Sequence, residues 1–248
     1  RQMCIRDRSS TGLFLLEGLQ GLKEALDYPN LVEEVFATPD AVAQNADLFS
    51  RLREVGIQVE SADERVLKTI STTDTPQGVV AVCRQLHTEL EIIREPKLLV
   101  YLSNIRDPGN AGTILRVADA AAADAVIFSE NSVDVYNPKV VRSTAGSIFH
   151  SALAIDQNLD SVFTFARDNG FQCFAADAGG TSIDAKSRAD LAKPTLWVFG
   201  NEAWGFEDGA LDRVDQVISV PIFGKAESLN LATAASICLY ASAMAQNG

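Results

Sequence analysis

Three short segments between residues 104 and 230 of this 248-residue chain combine residue types whose spacing suits chemistry. The first, Asn104-Ile-Arg-Asp-Pro-Gly-Asn-Ala-Gly-Thr-Ile-Leu-Arg116, carries the pattern N-x-G-x-x-x-R at Asn110, Gly112 and Arg116. Gly109 and Gly112 let a ligand or a second backbone approach closely. A helix starting here would aim its positive end at an anion, and the planar fork of Arg116 suits a phosphate. Arg116 follows Asn110 by six residues, within two helical turns, and is expected to reach along that helix face. The second segment, Leu196-Trp-Val-Phe-Gly-Asn-Glu-Ala-Trp-Gly-Phe206, is a strand ending in bare Gly200, then Asn201, Glu202 and Gly205. Such an end allows an adenine or a ribose to lie against the main chain, and Glu202 can accept hydrogen bonds from a hydroxyl or an amine. The third, Val220-Pro-Ile-Phe-Gly-Lys-Ala-Glu-Ser-Leu-Asn230, leads into a helix rich in Ala and Ser, with Ser228 the expected N-cap. Read singly, the three are equally a strand–loop–helix with a structural arginine, a turn, and a capped buried helix.

Other chemistries have little to stand on. His87 and His150 are the only histidines, which disfavours a histidine-rich metal site or a Ser-His-Asp triad. Cys4, Cys83, Cys173 and Cys238 are far apart and read as free thiols of a reducing cytosol. No G-x-G-x-x-G follows any expected strand. The net charge of −12 argues against a generally adhesive nucleic-acid binder, while leaving room for a local basic patch. No run of about 18 apolar residues is present, and the first residues lack the order of a signal peptide.

The elements that must position the three segments form a β-then-α alternation from residue 97 onward. Strands are expected at 98–102, 125–128, 171–176, 195–199 and 216–220, and helices at 110–123, 138–146, 159–169, 207–214 and 228–246. Several strands are unbroken apolar runs, as in a sheet covered on both faces. Each of the three segments follows one such strand, where open α/β sheets bind ligands. Residues 9–86 read as a smaller α/β unit. Its strands are expected near 13–17, 32–37, 57–60 and 79–82, and its helices at 18–28, from Pro39 to about Val55, and at 62–68. Thr75-Pro76-Gln77-Gly78 is a turn signal. Residues 87–97 read as a linker ending near Pro96, and residues 1–8 as a disordered or artefactual tail with no apolar period.

In this order and spacing the three segments closely resemble the three motifs of the SpoU (TrmH-like) family of the SPOUT class, over residues 98–246. Phe14-Leu-Leu-Glu-Gly18 and Thr75-Pro-Gln-Gly-Val-Val-Ala81 resemble that family's N-terminal substrate-binding domain. The resemblance implies an α/β fold: a small L30e-like α/β domain at 9–86, then a SPOUT-type α/β domain at 98–248 with a C-terminal trefoil knot. Periodicity alone would reject a knot, because true knots are rare. The implied activity is methyl transfer from S-adenosylmethionine to a ribose 2′-hydroxyl of structured RNA. Ribosomal 23S RNA is the first expectation and tRNA the alternative. The implied agent is a cytoplasmic homodimer that needs neither metal nor membrane. Asn110, Arg116, Glu202 and Asn230 match the family's catalytic positions. Gly200, Val220, Ile222, Ser228 and Leu229 match its cofactor pocket, and Arg106, Lys139, Arg142 and Ser143 are the expected RNA contacts. A non-catalytic RNA-binding or ribosome-assembly protein is the reading from another class; the intact set Asn110, Arg116, Glu202 and Asn230 stands against it.

Overall fold

The computed structural model describes residues 5–73, 76–206 and 209–248. The described chain opens with helix α1 (Ile5–Thr11). This corrects the expectation of a structureless tail through residue 8. Arg8 is only 6% exposed, and its guanidinium pairs with Asp134 at 2.5 Å. An apolar period could not reveal it, because the anchor is a charged side chain. Residues 1–4, the rest of the expected tail, lie outside the described residues, as does Thr75 of the expected turn.

There follow β1 (Leu13–Glu17), α2 (Leu19–Ala25), β2 (Val32–Ala37), α3 (Pro39–Gln44), α4 (Ala46–Glu54), β3 (Val59–Ser61), α5 (Glu64–Ile70) and β4 (Val79–Arg84). Their sheet runs in the order β1-β4-β2-β3; β4 is antiparallel to β1 and β2, and β3 is parallel to β2. Thr38 and Asp63 cap α3 and α5 by accepting from Ala41 N and Val66 N, which satisfies donors that a helix start leaves open. The single helix expected from Pro39 is two. It breaks at Asn45, whose amide donates back to the Ala41 carbonyl at 3.0 Å. Asn bonds its neighbouring backbone readily and so favours such breaks.

The chain continues through β5 (Leu98–Leu102), α6 (Pro108–Ala120), β6 (Ala125–Phe128), α7 (Pro138–Thr144), β7 (Ala152–Ala154), α8 (Leu159–Asp168), β8 (Gln172–Ser182), α9 (Arg188–Leu191), β9 (Thr195–Phe199), β10 (Gln216–Ser219) and α10 (Leu231–Asn247). Two compact units result: Arg1–Leu86 with Asp134–His150, and His87–Val133 with Ser151–Gly248. The sequence pattern assigns everything from residue 98 to one domain. In the structure α7 packs on β1 within the first unit, burying Val140, Val141 and Thr144. Residues 87–97, read as a linker, fall in the second unit, where Leu90 is part of the core.

The second unit is a six-stranded, wholly parallel sheet in the order β10-β8-β9-β5-β6-β7. β5, β6 and β9 are buried along their full length. Alternate residues serve opposite faces. Leu99, Tyr101, Ile127 and Val198 pack with Val162 and Phe163 of α8 on one side. On the other, Trp197 donates its indole N–H to Ser242 of α10 at 3.0 Å, which keeps a buried polar group satisfied. The expected helix at 207–214 is reduced, among the described residues, to one 3-10 turn at Leu211–Arg213; residues 207–208 lie outside them. Strand β7, three residues long, was too short to leave a periodic signal.

Candidate active site

The site is built beyond the carboxyl ends of β5, β9 and β10. After β5 the backbone turns sharply at Asn104, a non-glycine residue at φ 56 that is 7% exposed. Its N–H donates to Ser129 Oγ at 2.8 Å and its carbonyl accepts Asn201 Nδ2 at 2.6 Å. Asp107 then caps α6, accepting from Asn110 N at 2.7 Å, and Pro108 supplies a helical φ at the first position.

After β9 comes a turn whose ends are tied twice: Asn201 N donates to Gly205 O at 2.6 Å, and Gly205 N to Asn201 O at 2.9 Å. A Cβ on Gly200 would lie 2.5 Å from the Gly205 carbonyl oxygen, so only glycine fits here. Asn201, 5% exposed, also accepts from Ala203 N at 2.8 Å. It therefore holds the turn and the loop after β5 together. Sequence reasoning missed it; a buried amide gains its meaning from a partner 97 residues away.

Three of the expected catalytic side chains meet. Glu202 accepts from Arg106 N (3.2 Å), Asp107 N (3.2 Å) and Asn110 Nδ2 (3.2 Å). Asn110 Oδ1 accepts Asn230 Nδ2 at 2.9 Å. Asn230 Oδ1 in turn accepts from Ala232 N at 2.9 Å and Thr233 N at 3.4 Å. Asn230, not Ser228, is therefore the N-cap of α10, which starts at Leu231. Both residue types cap well, and the two positions differ only in where the chain turns. Glu202 thus holds backbone, and the three side chains lock three loops into one rim.

Inside that rim lies a cavity of about 400 Å³. All five expected cofactor residues line it: Gly200, Val220, Ile222, Ser228 and Leu229. Asp177 and Ala178, from the irregular middle of β8, form a wall that the sequence reading lacked; Gly179-Gly180 beside them was the available signal. The cavity's charged lining residues are the carboxylates Asp177 and Glu202, with no Lys, Arg or His among the described ones. That donor set suits a ligand carrying positive charge.

Arg116 is on α6 but does not line the cavity. Six residues at about 100° each turn it roughly 120° away from Asn110, so the expectation of a shared face is corrected. It is exposed and makes no ion pair or hydrogen bond with a described residue. Arg106 is exposed on the loop before α6. Lys139, Arg142 and Ser143 belong to α7 in the first unit. There Arg142 pairs with Glu17 at 3.3 Å and bonds Thr72 Oγ1, and Ser143 Oγ donates to Lys139 O at 2.8 Å.

A parallel α/β unit with a ligand cavity at its strand ends and three interlocked polar loops defines an α/β binding or transferase class. The family models are specific. Residues 97–240 match the SpoU rRNA Methylase family, and residues 15–89 match the RNA 2′-O ribose methyltransferase substrate binding family. The chain belongs to the SpoU rRNA methylase family. It is 33% identical, over 95% of its length and 90% of the relative's, to the 23S rRNA (guanosine(2553)-2′-O)-methyltransferase RlmP of Bacillus subtilis. An AdoMet-bound rRNA methyltransferase from Sinorhizobium meliloti superposes with a TM-score of 0.82 at 30% identity, covering 97% of this chain and 90% of that one. The SpoU methyltransferase AviRb of Streptomyces viridochromogenes, in complex with AdoMet, superposes with a TM-score of 0.83 at 28% identity, covering 97% and 93%.

Proposed function

We propose that this protein transfers a methyl group from S-adenosylmethionine to a ribose 2′-hydroxyl of RNA, with 23S ribosomal RNA as the substrate. The observation that carries the reading is the acidic cavity, with no Lys, Arg or His among its described lining residues, formed where the three motif loops interlock. The residues present fit the cofactor. Gly200 leaves main chain bare beside the cavity, Val220, Ile222 and Leu229 supply apolar surface, and Asp177 and Glu202 offer negative charge to a sulfonium or an ammonium. When bound there, S-adenosylmethionine supplies a methyl carbon already activated by its positive sulfur.

The chain's own residues must place the ribose oxygen in line with that methyl and ease loss of its proton. Asn110, fixed by Glu202 and Asn230, sets the rim against which the ribose rests. Arg116 engages the phosphate beside the target ribose and stabilises the developing alkoxide. A guanidinium has a pKa above about 12, so it acts as a charged donor while the phosphate or a water receives the proton. With no carboxylate partner among the described residues, it is available for this role.

The finer architecture follows the same reading. Residues 98–248, apart from the segment Asp134–His150 that packs in the first unit, form the catalytic domain, with the C-terminal part knotted, and residues 9–86 an L30e-like domain that holds RNA. The return of the chain after β10, so that α10 packs on α6, β5 and β9, supports the knot. Ile237, Tyr240 and Met244 leave an exposed stripe on α10, which supports a homodimer through this unit. No described helix is long and apolar enough to cross a membrane. The test is calorimetry with S-adenosylmethionine, followed by transfer of labelled methyl to unmodified 23S ribosomal RNA and tRNA transcripts. The reading expects cofactor binding and label in 23S RNA; label in tRNA alone moves the substrate, and no binding removes the reading.

A further inference from the structure

The first unit contains a second cavity, of about 230 Å³, that the reaction does not use. Leu16, Val79, Val141 and Ala145 give it apolar walls. Its polar side is organised by Glu17, whose side chain is only 5% exposed. One Glu17 oxygen accepts from Thr72 N at 2.9 Å and Thr72 Oγ1 at 2.8 Å; the other accepts from Ser71 Oγ at 2.9 Å and Arg142 Nη1 at 3.3 Å. Arg142 keeps its Nε and Nη2 donors without a partner among the described residues. Gln77, which also lines the cavity, is fixed by its carbonyl, which accepts Leu19 N at 3.1 Å, and its Nε2 has no partner among the described residues. The amide sits against Gly18, where a Cβ would meet Gln77 Oε1 at 3.0 Å.

A partly buried Arg–Glu pair such as this one is a poor source of stability compared with apolar packing. Here it joins the end of β1, the loop at 71–73 and α7, and it presents fixed donors beside apolar walls. The volume lies below the roughly 300–1,000 Å³ of drug-sized ligand sites, so it suits one ring system and not a whole nucleotide. Sequence-specific RNA recognition works by splaying out unpaired bases and hydrogen-bonding their edges, and Arg and Gln donors read acceptor atoms. We propose that this cavity seats one unpaired base of the RNA substrate, which presents acceptor atoms to Gln77 Nε2 and Arg142. The inference rests on the RNA-methylating reading and adds where, apart from the methylated nucleotide, the RNA is recognised.

Gln77→Glu tests it without removing the acceptor for Leu19 N, because a carboxylate keeps that oxygen and replaces only the free donors. Gln58→Glu, an exposed position of the same unit outside this cavity, controls for added charge. Steady-state methylation of whichever transcript accepts label should show KM for RNA raised about tenfold or more in Gln77→Glu, as for a lost base contact. The kcat, cofactor affinity and melting temperature should stay at wild-type values, and Gln58→Glu should change nothing beyond about twofold. Equal rises in KM for both variants, or no rise in Gln77→Glu, overturn the base seat while leaving the methyltransferase reading intact. A wild-type protein that methylates no RNA removes both.

Discussion

The two units each carry an arginine that sequence alone marks for RNA, and they treat it in opposite ways. In the first, Arg142 is held by Glu17 and Thr72, and the Glu17 side chain is 5% exposed. In the second, Arg116 stands exposed with no partner among the described residues, and the polar rim of the cavity is joined by neutral amides and by one carboxylate that holds backbone N–H groups. A paired charge is fixed in place and contributes position. An unpaired one keeps its full donor set for a ligand that arrives from outside. Stability and chemistry should therefore respond to the two arginines in opposite proportion.

The largest separation should come from Arg116→Ala. Loss of one preorganised donor costs roughly a hundred- to a thousandfold in rate. Single-turnover methylation should show that loss, with melting temperature and cofactor affinity unchanged. Arg116→Lys should not restore full rate, since a point charge cannot reproduce a bidentate fork. A variant that unfolds or fails to bind cofactor would put Arg116 among the structural residues instead. Arg142→Ala should do the reverse. It takes one partner from the Glu17 carboxylate, which keeps Ser71 and Thr72 as donors, at a cost of about 1–2 kcal/mol in unfolding free energy, while the rate at saturating RNA stays within a few-fold. Urea melts with wild-type stability would break the comparison.

Glu202→Gln should have a smaller effect. The new amide nitrogen faces a backbone donor where the carboxylate accepted, which costs about 1–2 kcal/mol at one contact. The rate should fall about tenfold with little change in melting temperature, and an unaltered rate would show that the rim needs no clamp. The thiols should give the least response of all. Burial pushes Cys83 and Cys238 up to about 12 and Cys173 to about 11 from an ordinary value of 9.0. Folding thus retains protons that the unfolded chain releases. Their contribution to stability is complete below about pH 9 and is lost as pH rises toward about 12. Alkylation of these three in the native protein at pH 8 should be slow, and rapid modification would show that their surroundings open.

What the sequence disclosed follows the range of the interactions involved. β5, β6 and β9 were legible to the residue because their apolar runs are continuous and each is bounded by polar or turn-forming neighbours. The residues of the cofactor cavity were legible through motif resemblance, which carries spacing but not hydrogen bonds. The Asn110–Glu202–Asn230 lock, the bridging role of Asn201 and the Glu17–Arg142 pair all join residues 92 or more positions apart. No local period encodes such partners. The placing of α7 with the first unit was hidden for the same reason: its buried face meets β1, and helix amphipathicity states that a face is covered without saying by what.

The central claim concerns one oxygen, and one measurement addresses it directly. The 2′-oxygen is the nucleophile in alkaline cleavage of RNA, so methylating it protects the adjacent phosphodiester. Transcribed 23S ribosomal RNA should be incubated with the protein and S-adenosylmethionine labelled in its methyl group, then hydrolysed fully in alkali. The account predicts that the label is recovered in a single alkali-resistant dinucleotide containing a 2′-O-methylribose. Label recovered in mononucleotides, as methylation of a base would give, would contradict it.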